Sequence, residues 1–286
     1  MNAAPRAVAV YSHARVGETG GALRRTVELA REAGVEMRLA PDEAQKHGLG
    51  AHDGIAIAED PAAGADLALV LGGDGTILAV LRRFAGSGVP VFAVNFGAIG
   101  FLATVEPSDL EEGMPRALAG DFDVMQLPGL VADTPAGQNL AVNDISFHRR
   151  QNGRVAELAY SVEGEQLGSV RCDGLVVSTP AGSTGYNLAN GGPVLAWGVE
   201  GFVVSFIAPH TLTARVLVVA PGDTLSVTNR SREDEVDMTT DGRSVWTLES
   251  EASVDIRFEE DQVRLAQAPG ATFYHRLRDK FGRLSY

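Results

Sequence analysis

A carboxylate set inside a glycine loop is the first feature of this chain that could do chemistry. Residues 70–76 read VLGGDGT, with Gly72, Gly73 and Gly75 surrounding Asp74. Glycines that follow an apolar strand open a loop whose backbone N–H groups can face a phosphate. A negative side chain there would repel an anion unless it has another partner, either a metal ion or a hydroxyl about to lose its proton. An unperturbed Asp, with a pKa of about 3.9, is a weak base toward a sugar hydroxyl and accepts the proton only late, as the new bond forms. The same residues also suit a tight β–α turn in which Asp74 merely caps. The order LALVL, GGDG, TILAVLRR favours the phosphate loop, with Thr76 placed to cap the helix.

Three further clusters carry polar or glycine-rich patterns. NFGAIGFL (95–102) is a second strand exit running into glycines, and on an α/β sheet ligands bind at the carboxyl ends of strands. AVNDISF (141–147) ends an apolar run on Asn143 and Asp144, an amide and a carboxylate that can hold vicinal sugar hydroxyls or simply make a turn. RCDGLVVSTPAGSTGYNLANGGPV (171–194) gathers glycines and hydroxyls around Tyr186, a composition that suits a lined pocket with a stacking ring and hydroxyl donors. No GxxxxGK[ST] loop, zinc-spaced His/Cys cluster or GxSxG elbow occurs. Any metal is therefore expected as Mg²⁺ held mainly by substrate phosphates, with no protein ligands assigned.

The elements that must position these residues change character along the chain. Up to about residue 125, short apolar runs alternate with helical patterns. RAVAVYS, VEMRLA (closed by Pro41), ADLALVLG and VPVFAVN read as strands. Leu23, Val27 and Ala30 define a helix ended by Gly34, and Ser108 with Glu111 forms a capping box before Leu110, Met114 and Leu118. This alternation predicts a doubly wound, Rossmann-like α/β domain over 1–125. Over 126–269 the runs are strand-like and separated by Glu163-Gly164, Pro221-Gly222-Asp223 and Asp241-Gly242, predicting a β-rich second domain. The segment 270–286 turns helical again and is available to pack back on the first domain.

Composition narrows the classes. The 286 residues carry 24 basic against 37 acidic side chains, a net charge of −13. A surface for nucleic acid or an anionic membrane needs a basic excess, so neither partner is expected. Cys172 is the only cysteine, no apolar run approaches a membrane span of about 20 residues, and a cytoplasmic protein is expected.

Taken in order, LGGDGT, NFGAIGFL, Asn143-Asp144, DGLVVSTPAGSTGYNLANGGPV and APHTLTARVLVV resemble the bacterial NAD kinases, from about residue 66 to FYHRLRDKF. GGDG by itself is also similar to the loops of 6-phosphofructokinases and of diacylglycerol- and sphingosine-type lipid kinases; the combination with STPxGSTxYxxxxGGP is specific. The resemblance implies an α/β domain followed by a β-sandwich-like domain. It also implies phosphoryl transfer from ATP with Mg²⁺ to the 2′-hydroxyl of the adenosine ribose of NAD⁺, in a homodimer or homotetramer. It makes Asp74 the base, with Gly72, Gly73 and Gly75 beside the substrates. Asn143 and Asp144 would grip the adenosine, while Thr184, Gly185, Tyr186, Asn187, Leu188 and Ala189 would line the adenine and phosphate region. Arg154, Arg171, Asp173 and Arg243 fall at ligand-contacting positions, and His210 near the phosphates. Three residues depart from the family pattern: Asp144 for Glu, Gly185 for Ala and Ala189 for Ser. Arg171, two residues before the Asp173-Gly174 pair, leans toward ATP over polyphosphate as donor. The competing expectations are a lipid or sugar kinase built on the same loop, and a non-catalytic NAD(P)(H) sensor.

Overall fold

The computed structural model describes residues 2–13, 15–51, 54–150 and 154–282. The last four residues of the predicted helical stretch lie outside them. Two compact units are present, one made of the residues up to Gln126 with those from Val263 onward, the other of Leu127–Gln262.

In chain order the first unit contributes β1 (Ala7–Ser12), α1 (Val16–Glu32), β2 (Glu36–Leu39), α2 (Pro41–His47), β3 (Ile55–Ile57), β4 (Leu67–Gly72), α3 (Asp74–Arg83), β5 (Val91–Asn95) and α4 (Leu110–Leu118). The strands pair in parallel in the order β3-β2-β1-β4-β5. Every residue of β4 is buried, which explains its uninterrupted apolar run: a central parallel strand is covered on both faces. The order reverses between β1 and β4, so the loops leaving these two strands meet at the crevice of a doubly wound sheet. The GGDG loop is one of them.

Three local readings differ from the structure. Pro41 starts α2 rather than only closing β2, because its fixed φ and missing N–H suit the first helical position. Thr76 does not cap α3: the helix already begins at Asp74, Gly73 is the cap residue, and the Thr76 amide bonds the Gly73 carbonyl at 2.9 Å. Ser108 and Glu111 form no capping box. A one-turn 3₁₀ segment, Pro107–Asp109, runs straight into α4, Ser108 Oγ donates to Asp109 at 3.1 Å, and Glu111 instead accepts from Arg25 at 2.8 Å.

The second unit is antiparallel. It holds β6 (Asp123–Thr134) from Leu127 on, β7 (Gly137–Ala141), β8 (Asp144–Arg149), β9 (Ala156–Val162), β10 (Glu165–Cys172), β11 (Gly174–Ser178), the short α5 (Tyr186–Ala189), β12 (Phe202–Ile207), β13 (Leu217–Val219), β14 (Leu225–Asn229), β15 (Val236–Thr240) and β16 (Arg243–Leu248). One sheet runs β13-β12-β11-β8-β15-β16, and β10-β9-β14 forms part of another. Phe147, Leu175 and Phe202 from the first meet Leu158, Cys172 and Leu225 from the second in a single buried core. Two inner faces packed this way make a sandwich. Burial pushes the Cys172 thiol up to about 12, so it is a packing group and not a nucleophile.

A long strand, β17 (Ser253–Gln267), pairs with β14 in its first part and, through Leu265 opposite Val91, with β5 near its end. It is followed by α6 (Phe273–Phe281), and both the end of β17 from Val263 and α6 belong to the first unit. Thr272 caps α6, its Oγ1 accepting the His275 amide at 3.1 Å.

Candidate active site

The glycines of the two strand exits in the first unit lie in van der Waals contact. A Cβ on Gly97 would stand 2.8 Å from the Gly73 Cα, closer than any real side chain tolerates, so neither loop can carry one without moving the other. Gly72 and Asn95 end adjacent parallel strands in register, and the Phe96 amide donates to the Gly72 carbonyl at 3.0 Å. Asn95 Oδ1 accepts the Gly97 amide at 3.0 Å, and its Nδ2 donates to Glu106 at 3.0 Å. A cleft of about 500 Å³ opens here, lined by His13 and Arg15 from the β1 exit and by Gly73, Gly75, Thr76 and Gly97. Glu18 lines the cleft too and pairs with Arg15 at 3.1 Å, so the features that suit an anion are the Gly73 and Gly75 amides at the start of α3.

Asp74 sits at the first turn of α3, where a negative charge is favoured by the helix dipole. Its carboxylate is held at both ends. Oδ2 accepts the Phe101 amide at 3.2 Å and Oδ1 accepts the Leu102 amide at 3.0 Å. Each oxygen retains a further lone pair, so the group can still accept a proton from a substrate hydroxyl. The acid is therefore neither a cap nor a loose surface group.

In the second unit the Asn143-Asp144 pair is built on a carboxylate that the sequence presented only as a turn residue. Asp241, at φ +45° in the β15–β16 turn, accepts three successive amides: Val142 at 3.0 Å, Asn143 at 2.7 Å and Asp144 at 3.1 Å. Such a pattern is visible only once the strands are paired, because Asp241-Gly242 is by itself an ordinary hairpin turn. From the other side the Gly182 backbone presses on Asn143, where any Cβ would lie 2.1 Å from the Asn143 carbonyl oxygen. The Asn143 Oδ1 is buried without a hydrogen-bond partner. An acceptor left in that state is what a ligand donor would fill.

Asp144 is buried, and desolvation together with the nearby Asp241 charge pushes it up to about 7. The folded chain thus keeps a proton that an unfolded Asp has released. Stability is fully supported by this group below about pH 4 and falls as pH rises toward 7, by at most about 1.4 kcal/mol per pH unit. Urea denaturation at pH 5 and pH 7.5 should show this fall, and Asp144→Asn should remove that component of it.

Tyr186 stacks on His148 with ring centroids 5.7 Å apart and planes 12° from parallel. Burial, then the Asp144 carboxyl, raises the Tyr186 phenol; burial lowers His148. His148 escaped the sequence reading because a lone His in a strand has no spacing signal. The hydroxyls of the STPAGST run serve the loop itself rather than a pocket. Thr179 Oγ1 donates to Val142 O at 2.7 Å, Ser183 Oγ to Pro180 O at 2.7 Å, and Thr184 Oγ1 to Ala181 O at 3.2 Å. Asn187 is fully buried, its Nδ2 bonding Ser183 O and Pro193 O. Gly185 and Ala189 are exposed, and Leu188 is half-buried.

Of the remaining candidates, Arg243 follows the Asp241-Gly242 turn and pairs with Thr240. Arg171 is exposed on β10, and its carbonyl accepts the His210 amide at 2.7 Å. Asp173 pairs with Arg149 at 2.7 Å. Arg154, His210 and Arg243 are exposed. No group of three His, Cys, Asp or Glu side chains capable of holding a metal occurs among the described residues. None of the described helices is long and apolar enough to cross a membrane.

A doubly wound unit with a glycine cleft and a held carboxylate, in a chain that also carries a β-sandwich unit, fits a phosphotransferase. The comparisons give the family. Residues 26–122 match the ATP-NAD kinase N-terminal domain and residues 142–268 the ATP-NAD kinase C-terminal domain. The chain is 35% identical over 223 residues to an NAD kinase of Gemmatimonas aurantiaca, covering 76% of this chain and 77% of that one. It is 37% identical over 260 residues to an NAD kinase of Ralstonia nicotianae, covering 88% and 80%. In fold it is similar to yeast NADH kinase complexed with NADH, with a TM-score of 0.86 at 21% identity over 98% of this chain and 89% of that one. It is also similar to an Archaeoglobus fulgidus NAD kinase in complex with ATP, with a TM-score of 0.73 at 24% identity over 97% and 98%. The chain belongs to the ATP-NAD kinase family.

Proposed function

We propose that this chain transfers the terminal phosphoryl group of ATP to the 2′-hydroxyl of the adenosine ribose of NAD⁺, giving NADP⁺ and ADP. The observation that carries this reading is the Asp74 carboxylate, gripped by two consecutive amides at the exit of β4 yet retaining lone pairs for a hydroxyl proton. The ribose oxygen forms its bond to the γ-phosphorus as the bond from that phosphorus to ADP breaks, and the hydroxyl proton passes to Asp74. The glycine amides at 73 and 75 fit the phosphates. A Mg²⁺ carried on the ATP phosphates would neutralise charge on the transferred group.

In the second unit, Asn143 Oδ1 and the Asp144 carboxyl are the groups offered to the adenosine, and Tyr186 with Gly185 and Ala189 gives a face for the base. We assign Arg154, Arg171, Asp173 and Arg243 to substrate contacts and His210 to the neighbourhood of the phosphates, with Arg171 favouring ATP over polyphosphate. The exposed Leu212, Val216 and Val218 suit burial in a homodimer or homotetramer, and Cys172 as a lone buried thiol suits the reducing cytoplasm. Incubation with NAD⁺ or NADH and a panel of ATP, other nucleoside triphosphates and polyphosphate should yield NADP⁺ from ATP and NAD⁺. NAD⁺ binding without product from any donor would make the protein a sensor, and phosphorylation of a lipid instead would overturn the substrate assignment.

A further inference from the structure

Asp74 is held by a stretch of chain that has no regular structure of its own. Phe101 and Leu102, whose amides grip the carboxylate, lie in a bend between β5 and α4. Nothing in a strand or helix ladder fixes the rotation of those peptide planes. The plane joining Phe101 to Leu102 is nonetheless gripped at both ends. Its N–H, on Leu102, donates to Asp74 Oδ1 at 3.0 Å, and its C=O, on Phe101, accepts Arg276 Nη1 at 3.0 Å. In a trans peptide these two groups point in opposite directions, so a hold on one fixes the aim of the other. The same Nη1 also donates to the Ala103 carbonyl, and Nη2 donates to Gln267 Oε1. Phe101 is packed edge-on against Phe273 of α6, with ring centroids 6.0 Å apart.

We infer that Arg276 is a positioning residue for the catalytic aspartate: its guanidinium fixes the Phe101 carbonyl so that the other edge of the same peptide presents the Leu102 N–H to Asp74. The guanidinium is the group for this task. Its planar fork presents donors in several fixed directions at once, which a Lys ammonium on a flexible stem does not reproduce. A cation on the carbonyl also polarises the peptide and strengthens the N–H bond at its other end. Burial lowers the Arg276 guanidinium to about 10, while the Asp74 and Glu106 carboxylates act in the opposite sense. It therefore remains charged at neutral pH. Lys280, one turn further along α6, bonds Glu106 at 2.8 Å, and Glu106 in turn holds Asn95 beside Gly97. The helix thus reaches both edges of the loop pair.

This inference rests on Asp74 being the base of the proposed transfer. Its test is a double-mutant cycle on the full chain. Arg276→Met is expected to lower kcat at least about 10-fold while the KM for NAD⁺ stays within about threefold, because misplacing a catalytic group affects the transition state more than substrate binding. Arg276→Lys should fall between. In an Asp74→Asn background the Met substitution should add no further loss, since there is no base left to aim. Arg278→Ala, on the exposed side of α6, should match the parent. The inference is overturned if folded Arg276→Met keeps kcat within about twofold, or if its loss simply multiplies that of Asp74→Asn. Should the Met variant fail to fold, Arg276→Lys decides: a kcat equal to the parent's would show that the fork is dispensable. A nearly parental Asp74→Asn would instead remove the base reading itself, whatever Arg276 does.

Discussion

Asp74→Asn is expected to lower turnover at least about 100-fold while leaving the fold and the affinity for NAD⁺ near their parental values. The amide keeps the size of the side chain and one of its two acceptors. It cannot take a proton from a hydroxyl, and its NH₂ must face either the Phe101 or the Leu102 amide, donor against donor. Two losses therefore act together, the missing base and a reoriented group. Steady-state assays of NADP⁺ formation, with circular dichroism and equilibrium NAD⁺ binding on the same samples, separate them from unfolding. A near-normal kcat with normal structure would take the proton-accepting role away from this residue.

The second large effect is expected at a residue that touches no substrate in the proposed mechanism. Asp241→Ala leaves the amides of Val142, Asn143 and Asp144 without their shared acceptor. Hydrogen bonds to a charged group contribute about 1.5–3 kcal/mol each, but three that converge on one carboxylate are not additive. Urea denaturation should report a loss of about 3 kcal/mol in total. The Asn143-Asp144 segment loses its fixed course, so the KM for NAD⁺ should rise about tenfold or more, with kcat falling less. Removing the second carboxylate also removes the charge that helps to raise Asp144. The stability of this variant should accordingly fall less steeply between pH 5 and pH 7 than that of the parent. An unchanged KM would show that these amides find water as a sufficient substitute.

Much of the first unit was legible because its signals are local. The LALVL run reads as a buried strand, and the glycines at its exit read as the opening of a loop or a tight turn. Asp74 stood out because a carboxylate contradicts an anion cradle unless it serves another purpose. Boundaries were less legible where one residue type has two uses. Pro41 ends one element and starts the next, and Thr76 can cap a helix but here sits within its first turn. The hydroxyls of residues 178–184 illustrate a deeper limit. Composition shows that donors are present, but only the paired strands reveal that Thr179, Ser183 and Thr184 spend them on neighbouring carbonyls. Asp241, His148 and Arg276 lay beyond reach for the same reason. Each acts on residues 38 to 175 positions away in the chain (as in Tyr186 on His148, or Arg276 on Phe101), and no periodicity records such a meeting.

The discontinuity of the first unit has a consequence for the order in which the protein comes into being. A ribosome delivers β1 to α4 first, then the whole of the sandwich unit, and only afterwards the end of β17 and α6. Until those last residues emerge, Val91 lacks its partner Leu265, and the Phe101 carbonyl lacks Arg276. A nascent chain can thus hold its glycine loops and its Asp74 without yet having them aimed. If Arg276 aims Asp74 as proposed, the aspartate acquires its final aim only when the end of the chain has joined the first unit.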